Sequence, residues 1–452
     1  MSAPSLQRPV VGSTRTAKSP ALAERTLANG LRVVAVRKPG VPVVEVRVRL
    51  PLAASGGKGA VAHTARLAVL GETILRGTEQ RSALQIAEEL QSVGGALGAG
   101  SDADRFAIGG SALSSGLPLL LDVLADVLAN ATYPAREVEG ERDRLLQDLT
   151  IARTQPGILA AAALARRLYG THPYAFELAH VDAVQDVTAA QVRAMHRNRI
   201  GAHDGLVVVV GDLTLARMLD AAEAALGGWA PTAARDRDPR HTPPVVPGPI
   251  EIADRPGAVQ TNIRFAGESV SREHPIYSAL LLAHTVFGGY FSSRLVANIR
   301  EDKGFTYSPR SSLDHARAGS TFSVVADVAT GVTAPALAET LHELLRITTT
   351  TVGGDELEAA RRYSIGSLAL RTATQAGLAT TLAGLLPAGL GLEWLRDQPR
   401  RLQAVTIDDV LAAAQHVMAP AKLVTVLLGD AGVIKDAVSV VGPVEVTSTS
   451  EL

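Results

Sequence analysis

Short runs of β-branched and other apolar residues alternate along the chain with longer stretches in which apolar residues recur every three or four positions. Three of the short runs are bounded by glycine or proline, at residues 33–36, 43–50 and 206–210. Such runs are typical of β-strands. The pattern therefore predicts strands at these three places, separated by long amphipathic segments.

The longer stretches predict helices. Ser82, with Gln85 three residues later, has the pattern of a helix N-terminal capping box, and the apolar residues that follow have helical spacing until the glycines at 94–95. Residues 117–128 and 137–153 predict helices by the same spacing. Strands and helices together predict an α+β chain.

Three short motifs recur in the second half of the chain, in the same order. The paired positions are 38–40 (KPG) and 255–257 (RPG), 187–188 and 405–406 (both VT), and 211–212 and 429–430 (both GD). The offset is 217 residues for the first pair and 218 for the other two. A shared order and offset predict two related halves of about 220 residues each.

The composition between and before these halves predicts the domain boundaries. Residues 1–23 are polar and contain three prolines, so we expect a disordered arm. The N-terminal half is predicted at 24–229 and the C-terminal half at 250–452. Residues 230–249, which are rich in proline and charge, are expected to be an extended linker.

Composition excludes several classes of protein. The chain has 452 residues, of which 46% are hydrophobic, so it can bury large cores. A net charge of -1 gives no basis for nucleic-acid binding, and the absence of cysteine excludes disulfides and thiol chemistry. No signal peptide begins the chain, and its longest uncharged stretch, 372–392, is too polar for a membrane helix. We expect a cytoplasmic protein, and the bias toward arginine over lysine suggests a bacterial genome.

Four stretches of sequence carry a family resemblance. They are residues 77–83 (GTEQRSA), 86–90 (IAEEL), 288–295 (GGYFSSRL) and 300–308 (REDKGFTYS). The chain resembles the pitrilysin/insulysin metallopeptidases, and most of all the mitochondrial processing peptidase and its bacterial relatives. The resemblance implies two homologous α/β sandwich halves that form a clamshell, each with helices packed on an antiparallel-rich sheet.

The resemblance also locates the zinc motif of this family, His-x-x-Glu-His on a helix with a distal acidic ligand. In this chain the two histidine positions are Ala68 and Glu72, the general-base position is Gly71, and the distal position is Asp148. Alanine has no donor atom and glycine cannot transfer a proton, so the N-terminal half is expected to hold no metal. His63 precedes the motif by five residues and is interpreted as an ordinary polar residue.

The second half keeps a pair of residues that the family uses. Arg300 and Tyr307 match the Arg/Tyr pair that these enzymes bring to the zinc site from the opposite half or from another subunit. A tyrosine hydroxyl can donate to an oxyanion, and an arginine can hold a substrate carbonyl. Gly304 predicts that Arg300 ends a helix and that Tyr307 begins the next strand.

These features lead to one main hypothesis and two alternatives. The main one is a zinc-less subunit, inactive alone, that supplies Arg300 and Tyr307 to a homologous zinc-binding partner. The pair would cleave short or unfolded peptides, for example leader peptides, with zinc in the partner and no cofactor in this chain. One alternative is an inert structural or peptide-binding homologue, as the core proteins of respiratory complexes are within this family. A remote third is an active homodimer with an unusual metal site.

Overall fold

The structure is a computed structural model that describes residues 20–52, 58–176, 178–231 and 241–449. The strands of the N-terminal half form one six-stranded sheet in the order β1-β2-β6-β3-β5-β4. These strands are β1 (Ala21–Thr26), β2 (Arg32–Arg37), β3 (Val43–Pro51), β4 (Ala96–Ser101), β5 (Arg105–Leu113) and β6 (Leu206–Gly211). Only β2 and β6 pair in parallel, and the other four pairings are antiparallel.

The C-terminal half forms a second six-stranded sheet in the order β12-β7-β11-β8-β10-β9. Its strands are β7 (Ile250–Asp254), β8 (Gln260–Ser269), β9 (Arg310–His315), β10 (Ser320–Ala329), β11 (Val424–Gly429) and β12 (Val444–Ser448). The strands β6 and β11 have equivalent places, because each lies inside its sheet between one parallel and one antiparallel neighbour.

Helices pack on both sheets. Those of the N-terminal half are α1 (Lys58–Thr73), α2 (Ala83–Ser92), α3 (Leu117–Asn130), α4 (Ala135–Thr154), α5 (Pro156–Tyr169), α6 (Val181–Gln185), α7 (Ala189–Arg199) and α8 (Leu215–Leu226). Those of the C-terminal half are α9 (Tyr277–His284), α10 (Arg294–Val296), α11 (Thr333–Thr349), α12 (Gly354–Arg371), α13 (Gln375–Leu385), α14 (Leu392–Ala404), α15 (Ile407–Val417) and α16 (Ala431–Ser439). Two π-helical segments, Thr285–Gly289 and Ala297–Asp302, flank α10.

The predicted α+β architecture of two related halves is confirmed. The three predicted strands are the central parts of β2, β3 and β6, and the predicted helices are α2, α3 and α4. Ser82 caps α2 as its sequence indicates, because its side chain accepts from the backbone N–H of Gln85 while the Gln85 side chain accepts from the backbone N–H of Ser82. Local pattern and capping chemistry therefore fix these elements.

The repeated motifs contact one another inside each half. Asp212 follows β6 and accepts a hydrogen bond from the backbone N–H of Gly40, with N and O 3.4 Å apart. In the second half Asp430 accepts from the backbone N–H of Gly257 at 2.7 Å. The same turn-to-strand contact is thus built twice, which explains why these motifs recur at nearly equal offsets.

Each sheet is covered on one face by a helix from the other half. Leu378 and Leu382 of α13 pack on Val34, Val36 and Val208 of the N-terminal sheet. In return, Ala160 and Ala163 of α5 pack on Ala253, Val426 and Leu428 of the C-terminal sheet. This helix exchange buries both faces of the central strands, which is why β6 is apolar at nearly every position.

Two sequence predictions need correction. The strand β1 begins at Ala21, so the arm predicted for 1–23 ends too late, and residues 1–19 lie outside the described residues. The predicted linker 230–249 includes residues 232–240, which also lie outside them. Tyr307 does not begin a strand, since β9 starts at Arg310 and Tyr307 lies in the preceding loop.

No single helix within the described ranges is both long and apolar enough to cross a bilayer. One bent pair, Gln375–Ala388 with Leu392–Ala404, has the length and composition but turns by 93°. The apolar face of its first helix contacts the N-terminal sheet.

Candidate functional site

The segment that carries Arg300 is held by an unusual backbone path. Arg300 lies within the π-helical segment Ala297–Asp302, and such segments are rare and frequent at functional sites. The helix ends in a tight turn at Gly304, whose φ is +65°. Beyond that turn, the Thr306 hydroxyl donates to the backbone carbonyl of Asp327 in β10 at 2.7 Å. This bond fixes the loop that carries Tyr307.

The structure brings Arg300 and Tyr307 together. The Arg300 guanidinium carbon lies 4.7 Å from the centre of the Tyr307 ring and 4.6 Å from the centre of the Phe291 ring. Its Nε is 3.2 Å from a carboxylate oxygen of Glu301. Tyr307 is 79% exposed and Phe291 63% exposed, so the cluster lies on the surface. We call these three residues, Phe291, Arg300 and Tyr307, the stacked cluster.

The glycines before the cluster serve close packing. A Cβ atom on Gly289 would lie 2.9 Å from the His284 ring, and one on Gly288 would lie 2.9 Å from the Ser311 hydroxyl. The Nδ1 of His284 is hydrogen-bonded to that same hydroxyl at 2.8 Å, and burial lowers the pKa of His284 to about 4. The histidine is therefore neutral at pH 7 and acts as a packed support beneath the turn.

A buried ion pair anchors the other side of the segment. Arg294 donates from Nε and Nη2 to the two carboxylate oxygens of Glu356, each at 2.7 Å. Burial alone would raise the pKa of Glu356, but the hydrogen bonds and charge of Arg294 outweigh it and hold that pKa below its ordinary value. Beside this pair lies an open polar cavity of about 450 Å³.

Two further tyrosines extend the aromatic surface. The rings of Tyr290 and Tyr363 are 5.1 Å apart at an interplanar angle of 39°. Burial and the nearby Glu356 raise the pKa of Tyr290. This phenol therefore stays protonated at neutral pH, and its ring packs inward while the neighbouring Phe291 ring faces outward.

The positions aligned with the zinc motif form no metal site. Ala68 is half-buried on α1, and Gly71 is buried, with its Cβ position 3.7 Å from the Cα of Gly100 in β4. Glu72 is exposed and lies 3.4 Å from Arg144, and Asp148 is exposed on α4. In the part of the chain that the structure describes, no three His, Asp or Glu side chains are placed to share a metal ion.

Guanidinium groups neutralise the carboxylates that remain there. Arg144 bridges Glu72 and the buried Glu141, and Arg76 lies 2.6 Å from the other oxygen of Glu141. Two carboxylates facing two guanidiniums leave no excess negative charge for a divalent cation, and the nitrogens are all donors. These residues do not fit a zinc ion. His63, upstream on α1, has its Nε2 3.2 Å from the Leu52 carbonyl.

Two family models match the chain. Residues 69–180 match the model described as insulinase (peptidase family M16), and residues 186–363 match the peptidase M16 inactive domain. Together they cover more than half of the sequence. The chain belongs to peptidase family M16. Arg300 and Tyr307 lie within the region that matches the inactive domain.

Several curated M16 relatives are similar over most of their length. An uncharacterized zinc protease of Mycobacterium tuberculosis (strain H37Rv) is 29% identical over 436 residues, which is 88% of this chain and 91% of that protein. One from Streptomyces coelicolor is 25% identical over 87% of this chain and 86% of that protein. Subunit 1 of the bovine cytochrome b-c1 complex is 25% identical over 216 residues, or 48% of this chain and 45% of the subunit.

Solved M16 structures share the fold. A peptidase M16 inactive domain from Pseudomonas fluorescens superimposes with a TM-score of 0.79 at 24% identity, over 90% of this chain and 98% of that one. A protease from Helicobacter pylori gives a TM-score of 0.83 at 18% identity, over 90% and 99% of the two chains. The two-half arrangement is therefore common to this family.

Sequence reasoning missed two contributors to the site. Phe291 stacks on Arg300, and its only signal was an aromatic pair, Tyr290 and Phe291, directly after two glycines in a chain that is 4% aromatic. Arg144 pairs with Glu72 across 72 residues of sequence, and no local pattern indicates that contact.

Proposed function

We propose that this M16 chain is the zinc-less subunit of a heterodimeric peptidase and supplies Arg300 and Tyr307 to the active site of a zinc-binding partner. The observation that carries the proposal is a contrast within one chain. The Arg/Tyr pair is assembled and exposed, whereas Ala68, Gly71 and Glu72 provide no ligand set. The zinc motif of this chain is thus degenerate in the proposed assembly.

The stacked cluster lacks the groups that peptide hydrolysis needs on its own. A tyrosine hydroxyl and a guanidinium can stabilise an oxyanion or hold a carbonyl, but neither activates a water molecule at neutral pH. A metal with its general base would supply that step in the partner. The exposure of Tyr307 favours contact with a second subunit, because the hydroxyl is open to an incoming group.

The substrate class follows from the same proposal. A chamber formed by two such subunits would admit extended or unfolded peptides, which can bind by adding a strand to a sheet edge. We propose short peptides, including leader peptides, as substrates and the cytoplasm as the site of action. The inactive-domain match supports pairing with an active subunit.

The test is co-expression with a zinc-motif relative from the same genome, assayed on a library of internally quenched peptides. The pair should cleave peptides and the lone chain should not. Arg300→Ala or Tyr307→Phe should lower kcat/KM about 100- to 1,000-fold, because one oxyanion donor contributes roughly 2.7–4 kcal/mol to the transition state.

The matched control is Arg217→Ala, which removes an exposed arginine on α8 of the other half. This variant should retain full activity. Full activity in both Arg300→Ala and Tyr307→Phe would refute the assigned role.

The second candidate is an inert structural or peptide-binding homologue. The similarity to subunit 1 of the bovine cytochrome b-c1 complex favours it, since that match spans about half of each chain. Co-purification separates the two functions. A peptidase subunit recovers a zinc-containing partner with activity, whereas a structural subunit recovers an assembly that cleaves none of the peptides.

A further inference from the structure

Phe291 is exposed to an extent that folding does not explain. Its side chain is 63% exposed, although most phenylalanines of soluble proteins are buried. It belongs to none of the hydrophobic core clusters of the described residues. Its close contact is the guanidinium of Arg300, which lies 4.6 Å from the ring centre.

The backbone before α10 aims this ring at Arg300. The backbone N–H of Ser293 donates to the carbonyl of Tyr290 at 3.2 Å, which closes a turn around Phe291. Tyr290 is anchored inside this turn by its stacking on Tyr363. With Tyr290 held inward, the adjacent Phe291 projects outward over the guanidinium.

The result is a guanidinium held between two rings. Phe291 and Tyr307 contact the Arg300 guanidinium at 4.6 and 4.7 Å, and Glu301 lies 3.2 Å from its Nε. No other group of the described residues pairs with this guanidinium, so its Nη atoms stay available. A planar cation confined in this way loses less rotational freedom when it binds a planar acceptor.

We propose that Phe291 is a positioning residue that, together with Tyr307, fixes the plane of the Arg300 guanidinium for a carbonyl or carboxylate group of the bound peptide. This inference rests on the proposed function, in which Arg300 meets the substrate. Phe291 itself acts through Arg300 and needs no contact with the reacting atoms.

The first experiment tests the stack in the chain alone. Protein labelled with ¹⁵N- and ¹³C-arginine gives an Nε–Hε signal for Arg300, which is identified by its loss in Arg300→Lys. Ring currents from two faces should displace this signal and those of the neighbouring methylene protons upfield. Phe291→Leu should move them toward the positions of a free arginine, and Phe291→Tyr should leave them in place.

Leu84→Ala is the matched control, because Leu84 is 67% exposed on α2 of the other half. It should not move the Arg300 signals. If Phe291→Leu also leaves them unchanged, the stack does not exist in solution and the inference is overturned without reference to any partner.

The second experiment measures the role in the active pair. Phe291→Leu should lower kcat/KM about 2- to 5-fold, the effect expected from an exposed cation–π contact, and Phe291→Tyr should restore it. In the Arg300→Ala background, Phe291→Leu should have no further effect, because its contribution passes through Arg300.

The outcomes separate this inference from the proposed function. If Arg300→Ala leaves the pair fully active, the proposed function fails. If Arg300→Ala abolishes activity but Phe291→Leu does not lower it, or lowers it equally in the Arg300→Ala background, Phe291 is not a positioning residue.

Discussion

At the scale of single residues, the site depends on close approaches that no sequence pattern reveals. Gly289 lies against His284 so closely that any side chain would meet the ring and the His284 carbonyl, at 2.9 and 3.1 Å. The glycine pair before the stacked cluster therefore reflects packing space. Because the histidine is neutral and buried, the turn rests on a rigid support.

Gly289→Ala should destabilise the protein by about 1–3 kcal/mol, the usual cost of overpacking a tight site. Urea unfolding of the purified chain measures the change. Gly140→Ala is the control, since a Cβ at Gly140 of α4 meets nothing within 4 Å. That helix-interior substitution should instead stabilise by about 0.5–1 kcal/mol. Equal stability of both variants would contradict the packing argument.

The ion pair of Glu356 with Arg294 predicts a pH dependence of stability. Because the pKa of Glu356 is lower in the folded protein than in the unfolded chain, its carboxylate stabilises the fold above the unfolded pKa of about 4.3. That contribution is lost as the pH falls through the lower folded value. Glu356→Gln should therefore lower Tm at pH 7 and flatten the acid side of the stability curve.

Thermal unfolding between about pH 7 and pH 3 measures both effects of Glu356→Gln. The exposed Glu393 of α14 provides the control variant Glu393→Gln, which should follow the parent curve. A parallel acid transition in Glu356→Gln and the parent would show that this pair contributes nothing to the pH dependence.

At the scale of elements, local chemistry predicted much of the fold. The capping box at Ser82, the apolar run of β6 and the spacing in α3 depend on neighbours within a few residues, so the sequence alone locates them. The helix exchange of α13 joins residues more than 150 positions apart, and no local pattern encodes such a contact. The π-helical segment around Arg300 was missed for the same reason, because tertiary packing stabilises it.

The exchange of α13 has a measurable consequence. Leu382 is fully buried against the N-terminal sheet, so Leu382→Ala should cost about 2–5 kcal/mol. Hydrogen exchange should accelerate in β2 and β6, although the substitution lies in the other half of the sequence. Leu370→Ala, at a position 77% exposed at the end of α12, should leave those amides unchanged. Faster exchange confined to the C-terminal sheet would contradict the exchange of helices.

At the scale of the whole molecule, the halves are joined by polar contacts as well as by helices. The Tyr174 hydroxyl donates to Asp104 at 2.7 Å and accepts from the backbone N–H of Ala318 at 2.9 Å. Asp104 also accepts from the backbone N–H of Arg317. A hairpin of the C-terminal sheet is thereby tied to a turn of the N-terminal sheet. The sequence repeat predicted two halves, but only the structure reveals how they are bonded.

The reciprocal packing of α5 and α13 bears on how such a chain could have originated. A polypeptide with only one half would leave an apolar sheet face bare and an apolar helix without a surface to cover. Two identical copies could satisfy both needs by trading helices across a two-fold axis. Gene duplication and fusion would then preserve a symmetric dimer inside a single polypeptide, and each copy would become free to lose different chemistry.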